Sequence, residues 1–459
     1  MQRKKPQKRR MVRDKMKKQI VRLLCACAAA AVMLSACGSQ EKKEEAMTEE
    51  MTEEMTETVE NTEESAAEST EETSEAAPAP EVNEEVKYSP DISEVSPVSE
   101  DVLPRQAGEY VIAYYTSWCR YDADGLRAKD IDAAKLTHIH YAFAETTWAF
   151  APFANNIDDH LENLQELASL KEQNPDLKLV LSIGGGGGDK YFKIMCSKDE
   201  NLKIFTEGCL DFLTTYDFDG IDLDWEFPST PAEMKGFTNM VLCLRRGMDE
   251  LGQETGKHYS LSLAGAADSG ELKGIDYETV EPFLDYVFIM GYNLYGTWSP
   301  TTNFNAPMYA PGEEKYTGYS LYTIVDTYIK SDIPANKLVL GLPLYGYVLP
   351  VTETENNGLY QRFKPVSYDT AYESCRNIFK SYLNDPDFTE FWDEDTQSPY
   401  LFGNDTFIGY ENERSIEAKS SLVKEFGLAG VGFWELSQDT EDFAMLNTAY
   451  EAMTTIRQQ

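Results

Sequence analysis

Histidine and cysteine, the residues that most often carry metal and redox chemistry, are scarce in this sequence, with four histidines and eight cysteines in 459 residues. His138, His140, His160 and His258 form no HxxxH pair, and the single HxH, at 138 and 140, has no carboxylate cluster beside it. No metal is expected, and His140 reads as a packed strand residue. Cys25 and Cys27 lie in an N-terminal apolar run, and Cys119, Cys196, Cys209, Cys243 and Cys375 are scattered, odd in number and without a CxxC. That pattern indicates neither a metal site nor a disulfide scaffold. Basic residues do not cluster beyond the extreme N-terminus and the formal charge is −38, which excludes nucleic acid and other polyanions as partners. The glycine run at 184–188 lacks the GK[ST] ending of a phosphate loop, so a tight turn or a close approach of backbone to substrate is expected there. No cofactor is implied.

An apolar run long enough to span a membrane is also missing. The N-terminus has a basic stretch from Arg3 to Lys18, then an Ala-rich apolar run from Ile20 to Leu34 of only about 15 residues, and then LSAC at 34–37. This is the pattern of a signal peptide, and LSAC resembles a bacterial lipobox. The resemblance implies cleavage before Cys37, a lipid on its sulfur, and attachment to the outer face of the cytoplasmic membrane or release into the medium. An ordinary signal peptide with a chance cysteine is the alternative. From Gln40 to about Glu100 the chain is Glu, Thr, Ser, Ala and Pro with hardly a large apolar residue, so it cannot bury enough surface to offset its entropy. The expected organisation is a signal segment at 1–36, a lipidated Cys37 with an acidic tether through 104, and a monomeric globular domain at 105–459.

What the domain does contain is eight short apolar runs: YVIAYYTSW at 110–118, LTHIHYAFA at 136–144, LKLVLSIGG at 177–185, FDGIDLDWEF at 218–227, YSLSLAGA at 259–266, DYVFIMGYN at 285–293, KLVLGLPLYG at 337–346 and GLAGVGFWEL at 427–436. Stretches with the apolar spacing of amphipathic helices separate them, such as IDDHLENLQELASLKEQ and EMKGFTNMVLCLRRGMDE. Strands that are apolar on both faces and bounded by helices indicate a parallel sheet, and eight such units predict an α/β fold, a (β/α)8 barrel. An open doubly wound sheet is the rival. About 80 residues separate the seventh and eighth strands, too many for one crossover. They include SYDTAYESCRNIFKSYL, read as a helix, and TFIGYENERS, read as a strand and its turn, and they predict a small α+β insertion at about 347–410.

The fourth run holds the unusual chemistry. Side chains alternate faces along a strand, so Asp222, Asp224 and Glu226 point one way and Ile221, Leu223, Trp225 and Phe227 the other. Like charges at this spacing cannot all ionise, and at least one of the three holds a proton near neutral pH. In a barrel the chemistry sits at the C-terminal ends of strands. There the sequence places this acid row, SIGG at 182–185, MGYN at 290–293 and Trp434. A calcium loop is the competing reading of D-x-D-x-E, but such loops need a central glycine rather than large apolar residues between the acids.

These motifs together resemble glycoside hydrolase family 18, the chitinases and related endo-N-acetylglucosaminidases, over about residues 108–455. DGIDLDWE is similar to that family's DxxDxDxE at Asp219, Asp222, Asp224 and Glu226, and Ser182, Gly184 and Gly185 to its SxGG. The other strand-end motifs follow in the family's order. The resemblance implies retaining, substrate-assisted hydrolysis in which the N-acetyl carbonyl is the nucleophile. Glu226, outermost in the row and kept neutral, would be the general acid. Asp224 would orient the acetamide, Asp222 would sit behind it and share its proton, and Asp219 would steady the turn. Tyr292 would donate its hydroxyl to the acetamido carbonyl. Trp434 would floor the sugar site, with Trp118, Phe143, Met290, Asn293, Trp298 and Tyr345 as further lining.

Two positions depart from the family pattern. Asn293 stands where the family often has Asp, and Tyr345 to Tyr347 read YGY where many members read YGR. The first removes a charge that could tune the acid. A sugar-binding protein without catalysis would fit the anchor and the aromatics, but the presence of Asp222, Asp224, Glu226 and Tyr292 together favours hydrolysis. Chitin, peptidoglycan and the chitobiose core of N-glycans all offer an N-acetyl group beside a β-1,4 bond, and the sequence does not choose among them.

Overall fold

The eight apolar runs form the eight staves of one closed barrel. The computed structural model describes residues 87–121, 125–147, 149–153 and 156–459. The signal segment, Cys37 and most of the acidic tether lie outside the described residues. The strands in chain order are β1 (Tyr110–Thr116), β2 (His138–Ala144), β3 (Lys178–Gly184), β4 (Gly220–Asp224), β5 (Ser260–Gly265), β6 (Tyr286–Met290) and β7 (Leu338–Pro343). Five more follow, β8 (Tyr345–Pro350), β9 (Tyr372–Ser374), β10 (Thr389–Asp393), β11 (Ser398–Gly403) and β12 (Thr406–Gly409), before β13 (Gly430–Trp434). β1 pairs in parallel with β2 and with β13, which closes the ring in the order β1-β13-β7-β6-β5-β4-β3-β2. The open doubly wound alternative is thereby excluded.

Helices α1 (Ile157–Leu170), α2 (Asp199–Tyr216), α3 (Pro231–Thr255), α4 (Leu321–Lys330), α5 (Glu413–Phe426) and α6 (Ala444–Arg457) carry long crossovers or close the chain. α3 shows how local sequence sets them. Thr230 and Glu233 form a capping box, Pro231 opens the first turn, and Gly256 ends the helix with φ 76°. Its Phe237, Met240, Val241, Leu244 and Met248 are buried. They belong to the same apolar layer as Ile221, Leu223 and Trp225 of the acid strand. Each such side chain contributes about 1.5–3 kcal/mol by leaving water. That packing outside the barrel holds the alternating acids inside.

The inner face of the barrel is more polar than the branched aliphatic filling usual for this architecture. Tyr114, His140, Ser182, Asp222, Ser262 and Tyr286 are all buried there with Phe288 and Val339. The insertion is a five-stranded antiparallel sheet in the order β10-β11-β12-β8-β9, with β8 following β7 after one residue. The stretch expected to be one helix is broken into Tyr368–Ala371 and Cys375–Ser381 by β9, because Tyr372 to Ser374 pair with β8. Backbone pairing outweighs helix propensity there.

The domain also starts earlier than residue 105. Tyr88 and Ser89 donate their backbone N–H groups to Asp199, the Val98 N–H donates to the Pro282 carbonyl, and Val95 and Leu103 are buried. The compact unit carrying the described residues runs from Glu85 to Gln459. A short apolar component, absent from the rest of the acidic segment, ties residues 87–104 to the barrel. Among the described residues no helix is long and apolar enough to cross a membrane.

Candidate active site

At the C-terminal mouth of the barrel a cleft of about 670 Å³ is lined by Asp224, Glu226, Tyr292, Trp434 and residues of the surrounding loops. Its floor exists because of two glycines. Gly184 and Gly185 have φ of 118° and 81°, and a Cβ on them would lie 2.0 Å from the Asp224 carbonyl oxygen and 2.3 Å from the Phe143 ring. Only glycine lets the end of β3 touch both the acid strand and that ring. Phe143 in turn stacks on Trp434, with ring centroids 5.5 Å apart and planes 21° apart.

The three acids descend from the cleft into the barrel. Glu226 and Asp224 line the cavity, while Asp222 lies wholly below it with no exposed surface. Tyr114 and Ser182 donate to Asp222 Oδ2 at 2.8 Å each, and Ser262 donates to Oδ1 at 2.7 Å. Burial alone would raise the Asp222 carboxyl, but the nearby His140 imidazole, whose Nδ1 stands 3.3 Å away, with the hydrogen bonds of Ser262 and Tyr114, more than offsets it and leaves the group below its ordinary value. For Asp224, burial and then the charges of Glu226 and Asp222 push the carboxyl well above the carboxylate range. Its Oδ1 is buried and accepts no hydrogen bond from the described residues.

Burial and crowding thus favour the proton on Asp224, the middle carboxyl, while the hydroxyl donors around Asp222 favour its ionised form. The reason is that β1, β3 and β5 bring hydroxyl donors to Asp222, while Asp224 is buried, faces the charges of Glu226 and Asp222, and has no donor at Oδ1 among the described residues. Tyr292 lines the same cavity, and burial, then the charges of Asp224 and Glu226, hold its phenol well above the usual tyrosine value, so it remains a donor.

Met290, Asn293, Trp298, Tyr345 and Phe143 line the cleft. Trp118 does not. It is 48% exposed and stands outside Phe143, with ring centroids 6.2 Å apart. Asp219 sits at the opposite end of β4, where its Oδ2 accepts the Leu179 N–H at 2.9 Å and pairs with Lys171 at 2.8 Å. It ties β4 to β3 and reaches no substrate. Sequence reasoning missed Tyr114, Ser262 and the polar setting of His140. It also missed Tyr368, which the insertion contributes to the cleft wall, stacked on Trp298 at 6.4 Å, and Asp268, Glu271 and Tyr319. Their only local signal is polar residues at inward-facing positions of otherwise apolar strands, as in Tyr114 and Ser262.

The two departures from the family pattern meet one another. The hydroxyls of Tyr345 and Tyr347 both donate to Asn293 Oδ1 at 2.6 Å. Asn293 has φ 59°, a region Asn tolerates, and Asn305 Oδ1 accepts its N–H at 2.7 Å. This wall of the cleft is thus fixed without a charge. Asn293→Asp is expected to place a carboxylate in the cavity that Glu226 lines, favouring the protonated acid and moving the basic limb of kcat/KM up by about 0.5–1 pH unit. A pH–rate profile checks this, and an unmoved basic limb would mean that the position does not act on the acid. Among the described residues no group of three or more His, Cys, Asp or Glu side chains could hold a metal ion.

The family profile described as Glycosyl hydrolases family 18 matches residues 110–439. The chain is 28% identical to Chitinase A1 of Niallia circulans over 394 residues, covering 72% of this chain and 56% of that protein. The chain thus spans little more than half of that relative's length. With Endochitinase 1 of Metarhizium robertsii the identity is 31% over 375 residues, covering 75% of this chain and 86% of the other. Among solved structures, the Ostrinia furnacalis Group IV chitinase in complex with allosamidin superposes with a TM-score of 0.70 at 25% identity, over 76% of this chain and 99% of that one.

Proposed function

Since the chain belongs to glycosyl hydrolase family 18, we propose that it hydrolyses β-1,4-linked N-acetylglucosamine glycans, chitin or chitooligosaccharides, with retention of anomeric configuration. The observation that carries this reading is one cavity lined by Glu226, Asp224 and Tyr292 beside Trp434, with Asp224 raised well above the carboxylate range and its buried Oδ1 without a donor among the described residues. A carboxyl in that state suits an acetamide N–H and C=O rather than a cation. The N-acetyl group of the sugar beside the scissile bond is held by Asp224 and Tyr292 so that its carbonyl oxygen attacks the anomeric carbon. Glu226 passes its proton to the departing glycosidic oxygen. The Glu226 carboxylate left by that transfer, with the Asp222 anion below, balances the positive charge that develops on the oxazolinium, while protonated Asp224 keeps the acetamide oriented; Glu226 then takes a proton from the water that opens the ring. Trp434 and Phe143 offer an apolar platform to the C–H face of the sugar.

Delivery to the outer face of the bacterial cytoplasmic membrane, through a lipid on Cys37 and the acidic segment behind it, is part of the same proposal. The LSAC tetrapeptide and the composition of residues 40–100 support it. Held on such a tether, the domain acts as a monomer and reaches glycan in the wall or the medium.

The substrate's acetamide decides the matter experimentally. Chitotetraose and its fully N-deacetylated counterpart are to be compared by product formation, with proton NMR following the first-formed anomer. The acetylated chain is expected to turn over at least about a hundredfold faster and to release the β-anomer first, because only it carries the nucleophile. Equal rates, or α-anomer released first, would rule out participation by the substrate.

A further inference from the structure

We propose that His140 is a positioning residue for the acid row, seated beneath Asp222 in the barrel interior, where, among the described residues, it supplies the group able to place a positive charge against that carboxylate. The inference rests on the reading of Asp222, Asp224 and Glu226 as a glycosidase's acids, and assigns a role to a residue that the sequence motif leaves out.

The geometry is that of a cross-barrel contact. His140 is fully buried on β2, with Nε2 2.7 Å from the Tyr286 hydroxyl of β6 and Nδ1 3.3 Å from Asp222 Oδ2 of β4. Tyr114 is its register partner on β1, and the two rings meet edge to face at 4.7 Å. Asp222 already accepts three hydroxyl hydrogens, from Tyr114, Ser182 and Ser262. Hydroxyls satisfy its lone pairs but leave a full negative charge in a site with no solvent, and such a charge is costly unless a cation faces it. The titratable groups around the pair are Tyr114 from β1, Tyr286 from β6, Asp224 further along β4, Tyr292 beyond β6 and His138 on β2 itself. Tyrosine and aspartate cannot be cationic, and burial, with His140 and Lys178 nearby, depresses His138 well below the usual histidine value. The imidazole of His140 is the group left to do it.

The consequence falls on Asp224. An anion fixed at Asp222 repels a second one directly above it, so the proton stays on Asp224 and is directed toward the substrate and Glu226. Without the imidazole, Asp222 takes up a proton more readily and competes for the one the reaction needs.

Two readouts test this. In protein labelled with 15N at histidine, the His140 ring signals, assigned by their loss in His140→Gln, are expected to show both nitrogens protonated in the folded protein under the conditions of the assay. In Asp222→Asn the same ring is expected to become neutral. In steady-state assays on chitotetraose, His140→Gln keeps a donor without a charge, and Asp222 then protonates at higher pH. The acid limb of kcat/KM should move up by about one unit, so that kcat/KM falls about tenfold on the limb itself and is unchanged on the plateau, with KM within twofold. A packing role alone would lower the melting temperature and leave the acid limb in place. A neutral imidazole in the wild type, or superposable pH profiles from folded proteins, overturns the inference. The spectra need no substrate, so they still read the charge on His140 if the glycan assignment fails. A neutral ring in an enzyme that does cleave chitotetraose defeats this inference alone.

Discussion

Glu226→Gln is expected to lower kcat by about two to four orders of magnitude while chitooligosaccharide affinity stays within severalfold. The side chain is half-buried, lines the cleft two residues beyond the end of β4, and lies across from Gly186, where a Cβ would stand 3.7 Å from Glu226 Oε1. Glutamine has nearly the same shape, so the cleft and its aromatic floor persist. What is lost is the transferable proton, and with it the assistance to a poor leaving group. Because that assistance acts only in the transition state, the loss belongs in kcat rather than in binding. Steady-state kinetics on chitotetraose, with calorimetric titration of the same variant, separate the two quantities. Turnover equal to wild type would remove Glu226 from the mechanism, and loss of binding in proportion to kcat would make it a substrate-holding group instead.

Asp224→Asn is expected to slow the enzyme and stabilise the fold together. In the proposed mechanism the protonated carboxyl that orients the acetamide becomes an amide with no transferable proton, for which a loss of about 10²–10³ in kcat is expected. The stability effect follows from the same burial. The folded carboxyl is raised well above its reference value of 3.8, first by desolvation and then by Glu226 and Asp222. Between pH 3.8 and that raised value the native state keeps a proton that the unfolded chain has released. Wild-type stability therefore falls as pH rises through this window, and the full penalty applies above it. Asparagine carries no such penalty. The variant should melt above wild type, with a difference that opens above about pH 4 and levels off at higher pH, amounting to roughly 1–1.5 °C for each ~1 kcal/mol relieved in a domain of this size. Differential scanning calorimetry from pH 4 to 8 measures it. A variant that melts lower than wild type near pH 7, or that turns over at the wild-type rate, would contradict the placement of the proton on Asp224.

The two acids differ in state although they stand two residues apart on one strand, and that difference was not legible in FDGIDLDWEFP. The alternation of the segment gave only a shared face. Whether an acid on that face is ionised depends on what the other strands bring to it: Tyr114 from β1, His140 from β2, Ser182 from β3 and Ser262 from β5 for Asp222, and no donor among the described residues to Oδ1 for Asp224. The same limit explains Trp118, an aromatic at a strand end that sits outside the cleft, and Tyr368, which enters it from an insertion about 140 residues after the acid row in sequence.

Local order in the chain was enough to determine the barrel, its eight strands, the acids on the inner face and the glycines beneath the cleft, because strand alternation, helix periodicity and the steric need for glycine act over a few residues. Tertiary structure alone decided the opposite shifts of Asp222 and Asp224, the contact of His140 with Asp222 and the bond of Tyr345 and Tyr347 to Asn293. Those depend on closure and stagger of the ring, which bring residues tens to more than a hundred positions apart within hydrogen-bonding distance, and no periodicity encodes that.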